Sequence, residues 1–167
     1  YAQLSETNKP NVVLALPYLY IVWAKQRLLI DSQIKIAAQD LSHYLNCGAY
    51  TGKINGSMLK DAGVDYVIIG HSERRTLMAE NGQILIDKVR NAFESSLIPI
   101  FCVGEPLNIR DDGSYLQFVE SQLSGLEEIE NFKDIVVAYE PCWAIGTGKI
   151  ASLAEISEVV DFINRYM

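Results

Sequence analysis

The sequence has no run of basic residues, no cluster of cysteines and no apolar stretch as long as a membrane span, and each absence removes a class of function. With a net charge of -7 it lacks the positive footprint that a phosphate-backbone binder needs, so no nucleic acid partner is expected. Cys47, Cys102 and Cys142 are far apart and odd in number, with no C-x-x-C pair, which fits neither a disulfide framework nor a zinc site. A reducing compartment, and hence a cytoplasmic location, is the simple reading. The most apolar stretch, Val12 to Ala24, contains Pro17 and falls short of the ~18 residues of a candidate span. It reads instead as a buried strand running into a helix, so no membrane partner is expected. The residues ahead of it are polar and of mixed charge, unlike a signal peptide.

What is present is an alternation. Five apolar runs, Val12–Leu16, Ile34–Ala38, Tyr66–Ile69, Ile98–Val103 and Ile135–Ala138, are each followed by a polar turn and a segment of helical spacing. They are apolar on successive residues, as strands covered on both faces are. Between them, Leu85, Val89, Ala92 and Phe93 share one helical face, as do Leu116, Val119, Leu123 and Leu126, and Ile156, Val159, Val160 and Ile163. Ser57 is placed to cap a short helix that Gly63 ends, Asp111-Asp112-Gly113 marks a turn, and Pro99 opens its strand. A single domain over residues 1–167 is expected, of α/β class with a parallel sheet. The spacing of the runs is close to the roughly 31 residues that a complete eightfold βα barrel allots to each unit. Composition alone equally permits a five-stranded doubly wound sheet.

The chemistry collects just past two strand ends, where α/β sheets keep their active sites. After Tyr66–Ile69 comes Gly70-His71-Ser72-Glu73-Arg74-Arg75. A helix starting here would turn its amino terminus toward the His71 ring and favour a neutral imidazole, a hydrogen-bond donor to a carbonyl. The plainer reading is a capped turn with a surface ion pair between Glu73 and the arginines. Two units later, Ala138-Tyr139 leads into Glu140, and Pro141-Cys142-Trp143-Ala144-Ile145-Gly146-Thr147-Gly148-Lys149 follows. Glu140 stands among apolar neighbours, where partial desolvation raises the basicity of a carboxylate. The loop after it has an apolar body and two glycines, the composition of a lid, and Gly146 is placed to offer its N–H to a phosphate oxygen. A structural glutamate before a glycine-rich turn would have the same composition. A nucleotide loop is excluded, because Ile150 stands where that motif needs Ser or Thr.

His71 through Arg75 and Ala138 through Lys149 resemble the two signature segments of the triosephosphate isomerase family. Ala37-Ala38-Gln39-Asp40, Gly48-Ala49-Tyr50-Thr51-Gly52, Met58-Leu59-Lys60-Asp61 and Phe101-Cys102-Val103-Gly104-Glu105 resemble it too, in order and with compatible spacing. The resemblance covers essentially the whole chain. It implies a partial TIM (β/α)8 barrel of about five βα units, without the family's first strand and last two strands. It further implies Glu140 as the base that moves a proton between adjacent carbons, His71 as the neutral acid that polarises the carbonyl, and Glu73 in support. Ile145 and Gly146 would bind the substrate, under a lid of Pro141, Trp143, Ala144, Thr147, Gly148 and Lys149. The family is itself a standard example of such pKa tuning, so these roles come with the resemblance. No metal or organic cofactor is implied, and the substrate is a triose phosphate.

The departures from the family are specific. No Asn-x-Lys segment ending a first strand precedes Val12, and no seventh or eighth strand with phosphate-binding loops follows. Thr51 and Arg74 resemble dimer contacts, which implies a homodimer. Lys53, however, replaces the glutamate that would pair with Arg74 across that interface, and Asp40 stands where Asn is commoner. A degenerate, non-catalytic relative acting as an interaction module is therefore the alternative to the isomerase. For residues 1–167 alone the expectation is low solubility, from unpaired edges on the first and last strands, and no isomerase activity.

Overall fold

The computed structural model describes residues 12–27 and 34–167. Expectations about the segment before Val12 fall outside those residues. The strands are β1 (Val13–Leu16), β2 (Lys35–Ala38), β3 (Tyr66–Ile69), β4 (Ile98–Val103) and β5 (Val136–Tyr139). All pair in parallel, in the order β1-β2-β3-β4-β5. A doubly wound sheet reverses its strand order at a switch point. This sheet adds each new strand on the same side, as the wall of a barrel does, so strand order decides between the two architectures that composition left open.

The helices are α1 (Tyr18–Arg27), α2 (Gly56–Asp61), α3 (Ser72–Leu77), α4 (Gly82–Glu94), α5 (Leu107–Asp111), α6 (Tyr115–Leu123) and α7 (Leu153–Tyr166). The expected stripes face the sheet: Leu85, Val89 and Ala92 of α4, Val119 and Leu123 of α6, and Val159 and Ile163 of α7 are buried. They pack with Ile36, Val67, Ile69 and Phe101 into one core. Each of the Val, Leu, Ile and Phe side chains contributes roughly 1.5–3 kcal/mol on burial. Val160 departs from its stripe and is exposed.

Three local expectations are corrected. Asn55, not Ser57, caps α2: its Oδ1 accepts the Met58 N–H at 3.0 Å, and the Ser57 hydroxyl donates to the same oxygen at 2.9 Å. Gly63 still closes that helix, at φ +84°. Pro99 is the second residue of β4, not its first. The Ile98 N–H points to Asp65 on the β3 side, so the N–H that Pro99 lacks would face β5, whose pairing starts only at Ile100. Finally, β5 lies one residue later than its apolar run, and the end strands are only partly covered, with Leu14 and Val136 exposed.

Candidate active site

The carboxyl ends of β3 and β5 carry the two residues singled out by sequence. Gly70, at φ +72°, turns the chain from β3 into α3, and His71 becomes the helix N-cap. Its carbonyl accepts from the N–H groups of Arg74 and Arg75, and its Nδ1 accepts the Glu73 N–H at 3.3 Å. That bond occupies the Nδ1 lone pair, so a neutral ring carries its proton on Nε2. The capped turn is thus what orients the histidine. Arg75 secures the turn from behind, donating from Nε to the Gly70 carbonyl at 2.7 Å and from Nη2 to the Cys102 carbonyl at 2.8 Å.

Glu140 is the first residue past β5, and its N–H bonds the Val103 carbonyl at 2.8 Å. The neighbouring chain comes so close that a Cβ on Gly104 would sit 1.7 Å from the Glu140 carbonyl oxygen, which only glycine permits. Gln122 holds Gly104 in that position, accepting its N–H at 2.8 Å. The half-buried Glu140 carboxylate accepts the Ser72 N–H on Oε2 at 3.3 Å, and its Oε1 stands 3.4 Å from His71 Nε2. No lysine or arginine lies within ion-pair distance of it among the described residues. Two thiols flank it instead. Burial, and then hydrogen bonding to Glu140, push the Cys102 thiol far up, and burial with the Glu140 charge raises Cys142. Both therefore stay neutral beside the carboxylate.

Glu73 is placed differently from the plain reading of the sequence. Its side chain is 76% exposed, with Oε2 3.8 Å from His71 Nδ1, and it pairs with neither arginine. Its backbone N–H, rather than its carboxylate, makes the close contact with the histidine.

The loop from Pro141 to Lys149 has two unlike halves. Cys142–Ala144 forms a single 3-10 turn, and Trp143 is buried, donating Nε1–H to Glu105 Oε1 at 2.8 Å. The same oxygen accepts from the Tyr139 hydroxyl at 3.0 Å and stands 3.6 Å from Arg110 Nη1, while Arg110 stacks at 4.0 Å over Tyr115. Glu105 is fully buried. The second half, Ile145 through Lys149, is exposed, with Gly146 and Gly148 at positive φ and Thr147 Oγ1 tied back to the Trp143 carbonyl at 2.8 Å. The Gly146 N–H has no acceptor among the described residues. Sequence reasoning missed the anchors Glu105, Tyr139 and Arg110; the one available signal was a charged residue, Glu105, two positions past the apolar strand β4.

Thr51 lies at an exposed turn. Arg74 is paired within the chain. Its Nη2 lies 2.8 Å from Asp40 and 2.6 Å from Glu80, and Lys88, only 2% exposed, reaches Glu80 at 2.7 Å and also Asp40. Within this chain, then, Arg74 has two acidic partners, Asp40 and Glu80. Burial raises the Asp40 carboxyl above its ordinary value despite Lys88, whereas for Glu80 the hydrogen bonds from Arg74 and Lys88 overcome burial and lower it. Among the described residues no group of three or more His, Cys, Asp or Glu is placed to hold a metal ion, and no helix is long and apolar enough to cross a membrane.

The family model described as triosephosphate isomerase matches residues 1–167. A triosephosphate isomerase of Alkaliphilus metalliredigens (strain QYMF) is 43% identical over 164 residues, which are 96% of this chain and 65% of that relative. One of Orientia tsutsugamushi (strain Boryong) is 40% identical over 165 residues, again 96% of this chain and 65% of the relative. The crystal structure of triosephosphate isomerase from Bartonella henselae superposes with a TM-score of 0.81 at 33% identity, over 93% of this chain and 63% of that one. The chain thus spans about 65% of the length of the curated relatives it matches.

Proposed function

Since the chain belongs to the triosephosphate isomerase family, we propose that it carries the proton-transfer half of an aldose–ketose isomerase acting on dihydroxyacetone phosphate and glyceraldehyde 3-phosphate. The observation that carries this reading is the facing pair at the two strand ends, Glu140 Oε1 at 3.4 Å from His71 Nε2. Glu140, with no cationic partner, is the base that removes the proton from the carbon beside the carbonyl. His71, with Nδ1 occupied, donates from Nε2 to the carbonyl oxygen, giving an enediolate. His71 Nε2 relays the hydroxyl proton from one enediolate oxygen to the other, and return of the first proton from Glu140 to the adjacent carbon completes the exchange, so no step needs a metal or an organic cofactor. The substrate replaces the contacts that Glu140 makes with Ser72 N–H and His71. Ile145 and Gly146 meet the phosphate end, where the free Gly146 N–H suits an anionic oxygen, and the lid from Pro141 to Lys149 excludes water.

The test is a chimera in which this chain is completed with the flanking segments of the Alkaliphilus relative. It should turn over glyceraldehyde 3-phosphate in a coupled assay, while residues 1–167 alone should not. Normal turnover by its Glu140→Gln variant would end the assignment. We further expect a cytoplasmic homodimer with Thr51 and its loop at the contact, checked by light scattering of the chimera. The alternative is a non-catalytic interaction module, supported by Lys53 standing where the family has a glutamate, and a folded chimera without turnover would favour it.

A further inference from the structure

A cavity of about 420 Å³ opens beside the candidate active site, between α3, α4, α6 and the end of β4. Glu140 borders it and His71 does not. Its size is that of a small-molecule site, and Leu85, Ile86, Phe101 and Phe118 supply apolar walls. Its cation is Arg75. A guanidinium has five N–H donors, of which Arg75 commits Nε to the Gly70 carbonyl and Nη2 to the Cys102 carbonyl, leaving three. No carboxylate lies within ion-pair distance of it among the described residues. The two acids that border the cavity are engaged elsewhere: Glu80 with Arg74 and Lys88, Glu140 with Ser72 N–H and the His71 ring. Arg75 is half-buried and packs 5.3 Å from the centre of the Phe101 ring, which orders its plane.

A planar fork with free donors matches a carboxylate, and apolar walls match a compact hydrocarbon body. A phosphate dianion would leave one charge uncompensated against those walls. We propose that this cavity binds a small organic monocarboxylate, its oxygens on Arg75 and its apolar body against Phe101, Phe118, Leu85 and Ile86. The ligand would lie against Glu140 without touching His71, so its occupancy would bear on how the carboxylate is held. The proposal concerns binding and stands whether or not the chain is an isomerase.

Titrating the isotopically labelled full chain with phenylacetate tests it, with phenylacetamide as the neutral control and amide chemical shifts as the readout. Phenylacetate should give saturable shifts at Arg75, Leu85 and Phe118, with the amide at least about tenfold weaker. Arg75→Gln should remove that preference for the acid. Ser121→Trp fills the cavity from an exposed position of α6 and should abolish both interactions while the rest of the spectrum is kept. Absence of saturable shifts, equal binding of acid and amide, or full binding by Ser121→Trp would each overturn the proposal. Should Arg75→Gln fail to fold, the acid-to-amide ratio and Ser121→Trp decide it alone.

Discussion

Two polar centres of this chain use the same kinds of side chain for opposite ends. In the cluster of Asp40, Arg74, Glu80 and Lys88, two acids and two bases answer one another inside the fold. At the strand tips, Glu140 has a backbone N–H, an imidazole and two neutral thiols around it, and no cation in ion-pair range among the described residues. A buried charge without its partner costs several kcal/mol, so the first centre resists change. The Glu140 carboxylate is held by one backbone hydrogen bond and the nearby imidazole, contacts that a substrate can replace. The difference teaches that partnering, not residue type or burial, separates an acid that holds the fold from one free to do chemistry.

The contrast can be broken at either centre. In the chimera, Glu140→Gln should lower kcat by roughly 10² to 10⁴-fold, the usual worth of a positioned base, and shift the melting temperature by less than about 2 °C. A large stability loss with modest kinetic loss would make Glu140 another structural acid. Lys88→Met should do the reverse, costing about 3–5 kcal/mol in urea unfolding by leaving Asp40 and Glu80 to share Arg74, with kcat per folded molecule kept. Gly104→Ala probes how Glu140 is aimed. The added Cβ must displace the Glu140 carbonyl, and a backbone shift of that kind should cost about 10²-fold in kcat/KM and lower the urea midpoint as well.

The smallest effect sharpens the comparison through pH. The folded state lowers the Glu80 carboxyl, so its contribution is present above the unfolded pKa and is lost as pH falls through the folded one. Asp40 is raised and has the opposite sign: its contribution is present below the unfolded pKa and is lost as pH rises through the folded one. Between about pH 5 and pH 3, where carboxylates titrate, the two should partly cancel. Glu80→Gln should flatten the acid-side fall of the urea midpoint, and a steeper fall would show that Glu80 is not the group held down.

Much of the fold was legible because strands covered on both faces leave continuous apolar runs, as Ile36 to Ala38 and Val67 to Ile69 do. Helical stripes such as Leu85, Val89 and Ala92 followed from period alone. The boundaries were less legible. Asn55 rather than Ser57 caps α2 because the helix begins two residues earlier than its apolar residues suggest, and β5 starts at Val136 because its pairing with Ile100 begins there. Lys88 shares the buried face of α4, yet local rules read a lysine as solvated; only acids arriving from Asp40 and Glu80 allow it inside.

Chain order by itself determined that the sheet is parallel, that His71 and Glu140 follow apolar strands, and which family the motifs belong to, since these depend on periodicity and neighbouring residues. Only the tertiary structure decided that strand order never reverses, that Gly104 must be bare for Glu140 to approach, that Nε2 is the nitrogen facing the carboxylate, and that Arg74 finds its acids within one chain. Those are distances between residues far apart in sequence, set by how strands register and helices pack, and no local rule contains them.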